Sequence, residues 1–310
     1  MTKNKNLLPR QLGDAHIRLL RIYRVVIESG GFAAAEVELN ISRPAISLAI
    51  SELESLLSMK LCHRGRSGFS ITPQGEQVYQ SVMQLLGSIE NFRAQINAIN
   101  TDLVGELNIG IIDNLVTMEK MSITQAISAL KDRAPGVVIN IRMMPPNEIE
   151  SGVLNGQLHV GVVPELRAFP GLTYTPLYKE KSLLYCSDQH PLFKQNLYDI
   201  SDDALAKYDA VVSRYPQSPE IKQQQRKLKA TASSTDREGI AFLILTGRFI
   251  GFLPTHFAQR WTDQDKIHSI GAHGRDFYTN FSIITSKGAR SHLILDAFLE
   301  ELKIQGSPIV

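Results

Sequence analysis

Arg43, Ser47 and Ser51 recur at every fourth position. On an α-helix that spacing lines them along one face. From there a guanidinium and two short hydroxyls can reach base edges and phosphate oxygens of a duplex. Ser42 and Pro44 flank the arginine. A serine ahead of a helix accepts from a first-turn N–H, and a proline in the first turn removes a donor the helix leaves unused. Further on, Arg64, Gly65, Arg66, Ser67 and Gly68 make a basic, glycine-bearing tip suited to phosphates or a minor groove. The chemistry implied is recognition of double-stranded DNA. Ser42, Arg43, Pro44, Ser47 and Ser51 would face bases or phosphates, and Arg64 and Arg66 the backbone or the minor groove.

These side chains need a rigid support, and the surrounding pattern supplies one. Ile46, Ile50, Leu53 and Leu57 follow at helical spacing and define the buried face opposite the donors. Phe32 to Leu39 reads as a shorter helix joined through Asn40 and Ile41, and asparagine tolerates a left-handed turn. Two helices joined this tightly form a helix-turn-helix whose second member enters the major groove. Leu61 to Thr72 alternates like a short hairpin, a wing beside that helix. Ahead of it, Asp14 to about Ser29 reads as a supporting helix carrying Ile17, Leu20, Tyr23 and Ile27, ended by Gly30-Gly31. Arg18, Arg21 and Arg24 read as its solvated face, and residues 1–13 as a tail.

Thr72-Pro73 opens a long helix, with Thr72 as its cap. Val78, Val82, Leu85, Ile89, Phe92, Ile96, Ile99 and Leu103 alternate in steps of four and three, an unbroken seam. The residues between them are read as polar, so the seam is expected to pair with a second copy of itself. At ~1.5 Å per residue such a helix spans about 40 Å. It would present two DNA-binding units to half-sites ~34 Å apart, an inverted repeat.

After Gly105 the pattern changes. Leu107–Ile112, Val137–Met143 and His159–Val163 read as buried strands separated by helices at Met118–Ala134 and Asn147–Leu158. Such repeats mean a parallel, doubly wound sheet. The pattern restarts after Pro170 with strand runs LTYTPL, SLLYC, DAVVS and RFIGFL and helices near Ser201–Lys207, Asp236–Leu245 and Thr255–Asp265. Ile267–Ile270, Thr279–Thr285 and a helix over Ser291–Ile304 read as a return to the first lobe. Ligands of open α/β sheets sit at the carboxyl ends of strands, so the cleft between lobes is the expected effector site. Its candidate residues are Asp113, Asn114, Met144, Pro145, Ser213, Arg214, Tyr215, Ser233, Ser234 and Thr235. The last three precede a helix whose free N–H groups favour an anion, and Arg214 could pair with a carboxylate, a plain surface arginine being the more usual reading of such a residue. Helix capping by Ser234 and Thr235, and turn chemistry at Asp113 and Asn114, are equally good readings of those residues.

The segments FAAAEVELNISRPAISLAISELE and LCHRGRSGFSITPQG, then GELNIGI, LNGQLHVGVV, SDQHPLF and FIGFLP, make the chain resemble the LysR-type transcriptional regulators over nearly its whole length. Gly31 stands where that family usually has a capping serine, Glu36 where it has a small alanine, Leu48 where a polar or basic residue is frequent, and Cys62 where Phe is common. The resemblance implies an α/β fold behind an N-terminal, mostly α winged helix-turn-helix. Residues 1–72 would bind DNA, 73–103 form a dimerising linker helix, and 104–310 form a two-lobed, periplasmic-binding-protein-like sensor. Lobe I would hold about 104–165 and 266–310, and lobe II about 166–265. It further implies a dimer or tetramer and a small-molecule effector, for which Arg214 makes a carboxylate one candidate, with RNA polymerase as a further candidate partner. A protein whose lobes serve only oligomerisation is the alternative.

Composition agrees without deciding. The chain has 310 residues, 43% hydrophobic and 21% charged, and a formal charge of +2, ordinary values for two or three soluble domains. Residues 1–75 carry 10 Lys and Arg against 6 Asp and Glu, so the positive excess lies where DNA would bind. Cys62 and Cys186 give neither a disulfide framework nor a metal spacing and read as buried thiols, with a redox switch the outside reading. No HExxH, P-loop, GxGxxG or GxSxG occurs, and His268 and His273 miss the i, i+4 face. No enzyme, metal or cofactor is expected. No secretory signal or membrane span is read either, so the expected location is cytoplasmic.

Overall fold

The computed structural model describes residues 12–64, 68–99, 103–118, 122–195, 197, 200–214, 217–271, 275–288 and 292–305, with some side chains late in the long helix left out. Arg66, Tyr215, His273 and the side chain of Ile99 therefore lie outside the described residues. The chain forms two compact units, the first running to Arg93 and including Asn155–Gln157, the second holding Ala94–Leu154 and the chain from Leu158 onward.

The first unit is built on α1 (Asp14–Glu28), α2 (Phe32–Leu39) and α3 (Arg43–Leu57), then β1 (Cys62–His63), β2 (Ser70–Ile71) and the start of α4 (Pro73–Ile99). Gly13 takes the cap of α1 and Asp14 its first helical position. Asn40 closes α2 in the left-handed conformation at φ 52°, making the tight turn into α3. Ile46, Ile50, Leu53 and Leu57 of α3 are buried against Leu20, Tyr23 and Val26 of α1. Thr72 caps α4, its Oγ1 accepting from Gly75 N at 2.9 Å. A side chain at position 75 would collide with the Leu61 carbonyl oxygen, so glycine lets the long helix start hard against the wing.

The seam of α4 reads differently in three dimensions. Tyr79, Met83 and Leu86, one position beyond Val78, Val82 and Leu85, are buried and widen the apolar stripe. That wider stripe seats the first half of α4 on its own unit. Val82 is only 3% exposed there, and Val78, Leu85 and Ile89 are half-buried against the same core. Phe92 and Ile96, at 62% and 45% exposure, carry the seam outward. The expectation of a purely partner-facing seam is corrected for Val82, because the positions that follow the seam residues (Tyr79, Met83 and Leu86) are apolar and buried, whereas those before them (Gln77, Ser81 and Gln84) are polar as expected.

The second unit holds β3 (Gly105–Ile111), α5 (Ser122–Arg133), β4 (Val137–Met143), α6 (Pro146–Leu154) and β5 (Val160–Pro164), followed by β6 (Leu172–Ser187), α7 (Asp202–Leu205), β7 (Asp209–Ser213) and α8 (Pro219–Arg226). It continues through β8 (Lys229–Ser234), α9 (Arg237–Leu245), β9 (Ile250–Pro254), α10 (Thr255–Thr262), β10 (Ile267–Ser269), β11 (Asp276–Ser286) and α11 (Leu293–Gln305). Among the described residues one sheet runs β4-β3-β5-β11-β6-β9-β7-β8, with β10 beside β6. β3 is parallel to β4 and β5, and β7 is parallel to β8 and β9. These two parallel halves are the lobes. β11 runs antiparallel to β5 of the first half and β6 antiparallel to β9 of the second, and the two pair antiparallel with each other, which joins the halves, with a bulge at Phe281/Ser282.

LTYTPL and SLLYC, read as two strands, are thus one long strand. Ile267–Ser269 pairs with Tyr185–Ser187 and stays with the second lobe; the return to the first lobe is made by β11. β8 (KATASS) was not read as a strand, because a polar edge strand lacks the apolar alternation that marks one. Each half buries its own core. Leu107, Ile109, Leu130, Phe281 and Phe298 anchor the first, while Cys186, Ile250 and Leu192 on one face and Ile244, Leu253 and Phe257 on the other anchor the second.

Candidate functional site

The outer face of α3 begins with Ser42, Arg43 and Pro44, all exposed, and continues through half-buried Ser47 and exposed Ser51. Ser42 is the cap by backbone conformation, but its hydroxyl makes no capping bond. Glu36 of α2 supplies that function, its Oε1 accepting from Arg43 N at 3.2 Å while Oε2 accepts from Arg43 Nε at 2.6 Å. Leu48 adds an apolar element to the same surface at 70% exposure.

Arg64 does not stand at the wing tip as an outward cation. Its Nη1 donates to Ser47 O at 3.1 Å and Ser47 Oγ at 2.7 Å, and its Nη2 donates to Ser51 Oγ at 3.2 Å and Glu54 Oε2 at 3.0 Å. The guanidinium also lies 5.2 Å from the Phe32 ring centroid. Three side chains expected to touch DNA are therefore bonded to one another, and Arg64 locks the wing to α3. Glu54, buried beneath, also accepts from Lys60 Nζ and the backbone N–H groups of Leu61 and Cys62. Burial alone would raise its carboxyl, but these donors hold it below the ordinary carboxylate range.

In the second unit an ionic network crosses between the lobes. Asp113, after β3, accepts from Arg237 N at 2.6 Å and Arg237 Nη1 at 2.9 Å. Arg237 Nη2 donates to Glu180 Oε1 at 3.2 Å, Glu180 Oε2 lies 3.0 Å from His256 Nε2, and His256 Nδ1 lies 2.7 Å from Thr117 Oγ1. Burial alone would raise the Glu180 carboxyl, but Arg237 and His256 reverse this and keep it lowered. The start of α9 is thus already occupied. Arg237 N serves Asp113, and Gly239 N donates to the capping Asp236 at 2.6 Å.

A cavity beside this network is lined by Glu180, Ser182, Ser213, Arg237, Phe277 and Thr279, among others. Of the expected effector residues Ser213 lines it, with a buried hydroxyl lacking a partner among the described residues. Asp113 reaches its wall through Arg237. Asn114 adopts the left-handed conformation and donates to Asp113, the turn chemistry weighed above. Ser234 Oγ accepts from Asp236 N and Thr235 Oγ1 donates to Asp236, so both serve the helix start. Met144, Pro145, Arg214 and Ser233 do not line the cavity.

Residues 100–306 match the LysR substrate binding domain, and residues 17–76 match the bacterial regulatory helix-turn-helix protein, lysR family. This chain belongs to the LysR family. The LysR-family chain is 47% identical over 304 residues to the HTH-type transcriptional activator BauR of Pseudomonas aeruginosa, covering 98% of this chain and 100% of the relative. It is 25% identical over 244 residues to a probable HTH-type transcriptional regulator, LrrA, of Synechococcus elongatus, covering 77% and 81%. Its fold is similar to full-length CbnR in a complex with target DNA (TM-score 0.65, 20% identity, 94% and 99% covered) and to full-length OxyR C199D from Pseudomonas aeruginosa (0.61, 17%, 96% and 95%).

The LysR-family chain is a DNA-binding transcriptional regulator, as its relatives are named, and not an enzyme. No group of three or more metal-binding side chains occurs among the described residues. Among them, too, no helix is long and apolar enough to cross a membrane. Both cysteines are buried and free, and burial pushes the Cys186 thiol up to about 12, which disfavours the reactive thiolate. Sequence reasoning missed Glu180, Arg237, His256 and Thr117. One signal was present: Glu180 shares the inward parity of Ser182, Leu184 and Cys186, while Lys179 and Lys181 alternate with it.

Proposed function

We propose that this LysR-family protein is an effector-responsive transcriptional activator. It binds an inverted-repeat operator as a dimer or tetramer through α3 and holds a small molecule between the lobes of its second unit. The observation that carries the DNA reading is the outward face of α3, where Arg43, Ser47 and Ser51 back onto buried Ile46, Ile50 and Leu53. Activation as the outcome is supported by the relative named an activator. The effector reading is supported by the cavity, where Ser182, Ser213 and Thr279 offer hydroxyls beside the charges of Arg237 and Glu180. A ligand preferring one lobe arrangement would shift the equilibrium between quaternary states and change the spacing or bend of bound DNA.

A gel shift on the DNA upstream of the protein's own gene tests the first part. A retarded band protecting two half-sites ~34 Å apart is expected, and no complex with any duplex at low salt sinks the reading. A thermal-shift panel of small metabolites, carboxylates included, tests the second, since a ligand of the native state raises the melting temperature. A second reading is favoured by the Asp113–Arg237–Glu180 pairing, which already satisfies the charges a ligand would use. In it the lobes serve oligomerisation alone, and no metabolite moves the transition.

A further inference from the structure

We propose that Glu36 is a specificity-determining residue: its carboxylate orients Arg43 so that the terminal guanidinium fork reads a guanine, and it withholds that arginine from the phosphates. The proposal rests on the DNA-binding reading above. Glu36 holds Arg43 twice, through the backbone N–H at 3.2 Å and through Nε at 2.6 Å. Only the inner edge of the guanidinium is used, and neither Nη1 nor Nη2 has a partner among the described residues. The Arg43 side chain is 62% exposed at the N-terminal end of α3, the part of a recognition helix that meets base edges. Two parallel N–H groups match guanine O6 and N7, the commonest specific arginine contact in the major groove.

The charges act in the same direction. An unpaired arginine on a DNA-facing surface is drawn to the nearest phosphate, where it adds affinity without sequence information. Beside the Glu36 carboxylate the pair is neutral, so its attraction to the backbone is largely cancelled while its hydrogen-bond geometry is fixed in advance. The Arg43 hydrogen bond also holds the Glu36 carboxyl below its ordinary range, so it is ionised at neutral pH. By contrast Arg64, the other described arginine expected at the interface, is bonded to Ser47, Ser51 and Glu54.

The test uses the full chain and its variants Glu36→Gln, Glu36→Ala, Arg43→Ala and Glu36→Gln/Arg43→Ala. Wild-type protein first selects from a randomised duplex library. Each protein is then titrated with the selected duplex, its single-base variants and a scrambled duplex over a range of salt, and its melting temperature is recorded. Wild type should prefer guanine at one position of each half-site by ~10-fold, the scale of one bidentate arginine contact. Glu36→Gln keeps an acceptor oxygen but not the charge. It should flatten that preference, bind scrambled DNA more tightly and steepen the salt slope by about one phosphate contact. The double variant should match Arg43→Ala, because Glu36 acts through Arg43. Glu36→Gln with wild-type base preference and salt slope overturns the proposal. So does a fall in melting temperature in Glu36→Ala with base preference intact, which would leave Glu36 as a helix cap alone. Wild type selecting no sequence overturns the DNA-binding reading itself, a distinguishable result.

Discussion

At the scale of single residues, two arginines of similar promise in the sequence have opposite surroundings. Arg43 is exposed, with its outer nitrogens directed by one carboxylate, whereas Arg64 bridges the wing and α3 through four hydrogen bonds. Arg43→Ala should lower specific binding by about 1–3 kcal/mol, the value of one good base contact, and leave scrambled DNA little changed. An unchanged ratio of specific to scrambled dissociation constants would remove Arg43 from the interface. Arg64→Ala should weaken binding to all duplexes alike and lower the melting temperature of the first unit, because Glu54 loses a charged partner in a buried place. The stability loss should be about 1–3 kcal/mol, that of an under-satisfied buried group. A defect confined to one operator sequence, with stability intact, would contradict that role. The residue types were legible from the sequence, but where each guanidinium points was not. Direction depends on Glu36 and Glu54, which reach these arginines only once α2, α3 and the wing have packed.

At the scale of elements, α4 divides into two parts with different partners. Its first half belongs to the core around Tyr23 and Leu53, and its exposed apolar residues Phe92 and Ile96 lie beyond that core. Phe92→Glu should therefore weaken self-association, read as a shift toward monomer in sedimentation equilibrium, with the melting temperature of the first unit preserved. Val82→Ala should do the reverse. It should cost about 2 kcal/mol of stability, at ~0.8 kcal/mol per buried carbon group plus a small cavity, and leave the oligomeric state alone. A monomer from Val82→Ala, or no change from Phe92→Glu, would refute this division. The heptad spacing was visible in the sequence. The width of the stripe was misread, since Tyr79, Met83 and Leu86 matter only against a neighbouring core. In the same way β6 was read as two strands, because Tyr178 to Lys181 between the two apolar runs carry three charged side chains and no apolar alternation, although their burial does alternate in the fold.

At the scale of the whole molecule, buried ionisable groups of the second unit make it sensitive to acid. Burial, together with neighbouring His292, pushes His159 down to about 3, and burial lowers His292 as well. These imidazoles are neutral in the fold at pH values where the unfolded chain takes up protons at about 6.5. Their linkage favours the folded state fully above that value, and stability falls as the pH drops from about 6.5 toward 3. Glu180 adds to this only at lower pH. Its carboxyl is lowered in the fold, so its contribution is present above the ordinary carboxylate range and is lost on acidification through it. The transition temperature of the second unit should decline between pH 7 and 5 and more steeply below 4.5, the ordinary value for Glu. A midpoint independent of pH across 7 to 5 would show that the two histidines are not buried neutral.

Local order was written in the residues themselves. Apolar periods of 3.6 and 2, the left-handed Asn40, the Thr72-Pro73 start and the strand–helix alternation after Gly105 all act over a few positions, so they announced a winged helix-turn-helix, a long helix and two α/β lobes. The engagements of the charged side chains were decided only by tertiary structure. Asp113 in the loop after β3, Glu180 of β6, Arg237 of α9 and His256 of α10 are far apart in the chain and meet because β6 and β11 tie the lobes together. Glu36 and Arg43 meet because a left-handed asparagine turns one helix onto the next. An ion pair is fixed by distance and burial, which no spacing along the chain encodes.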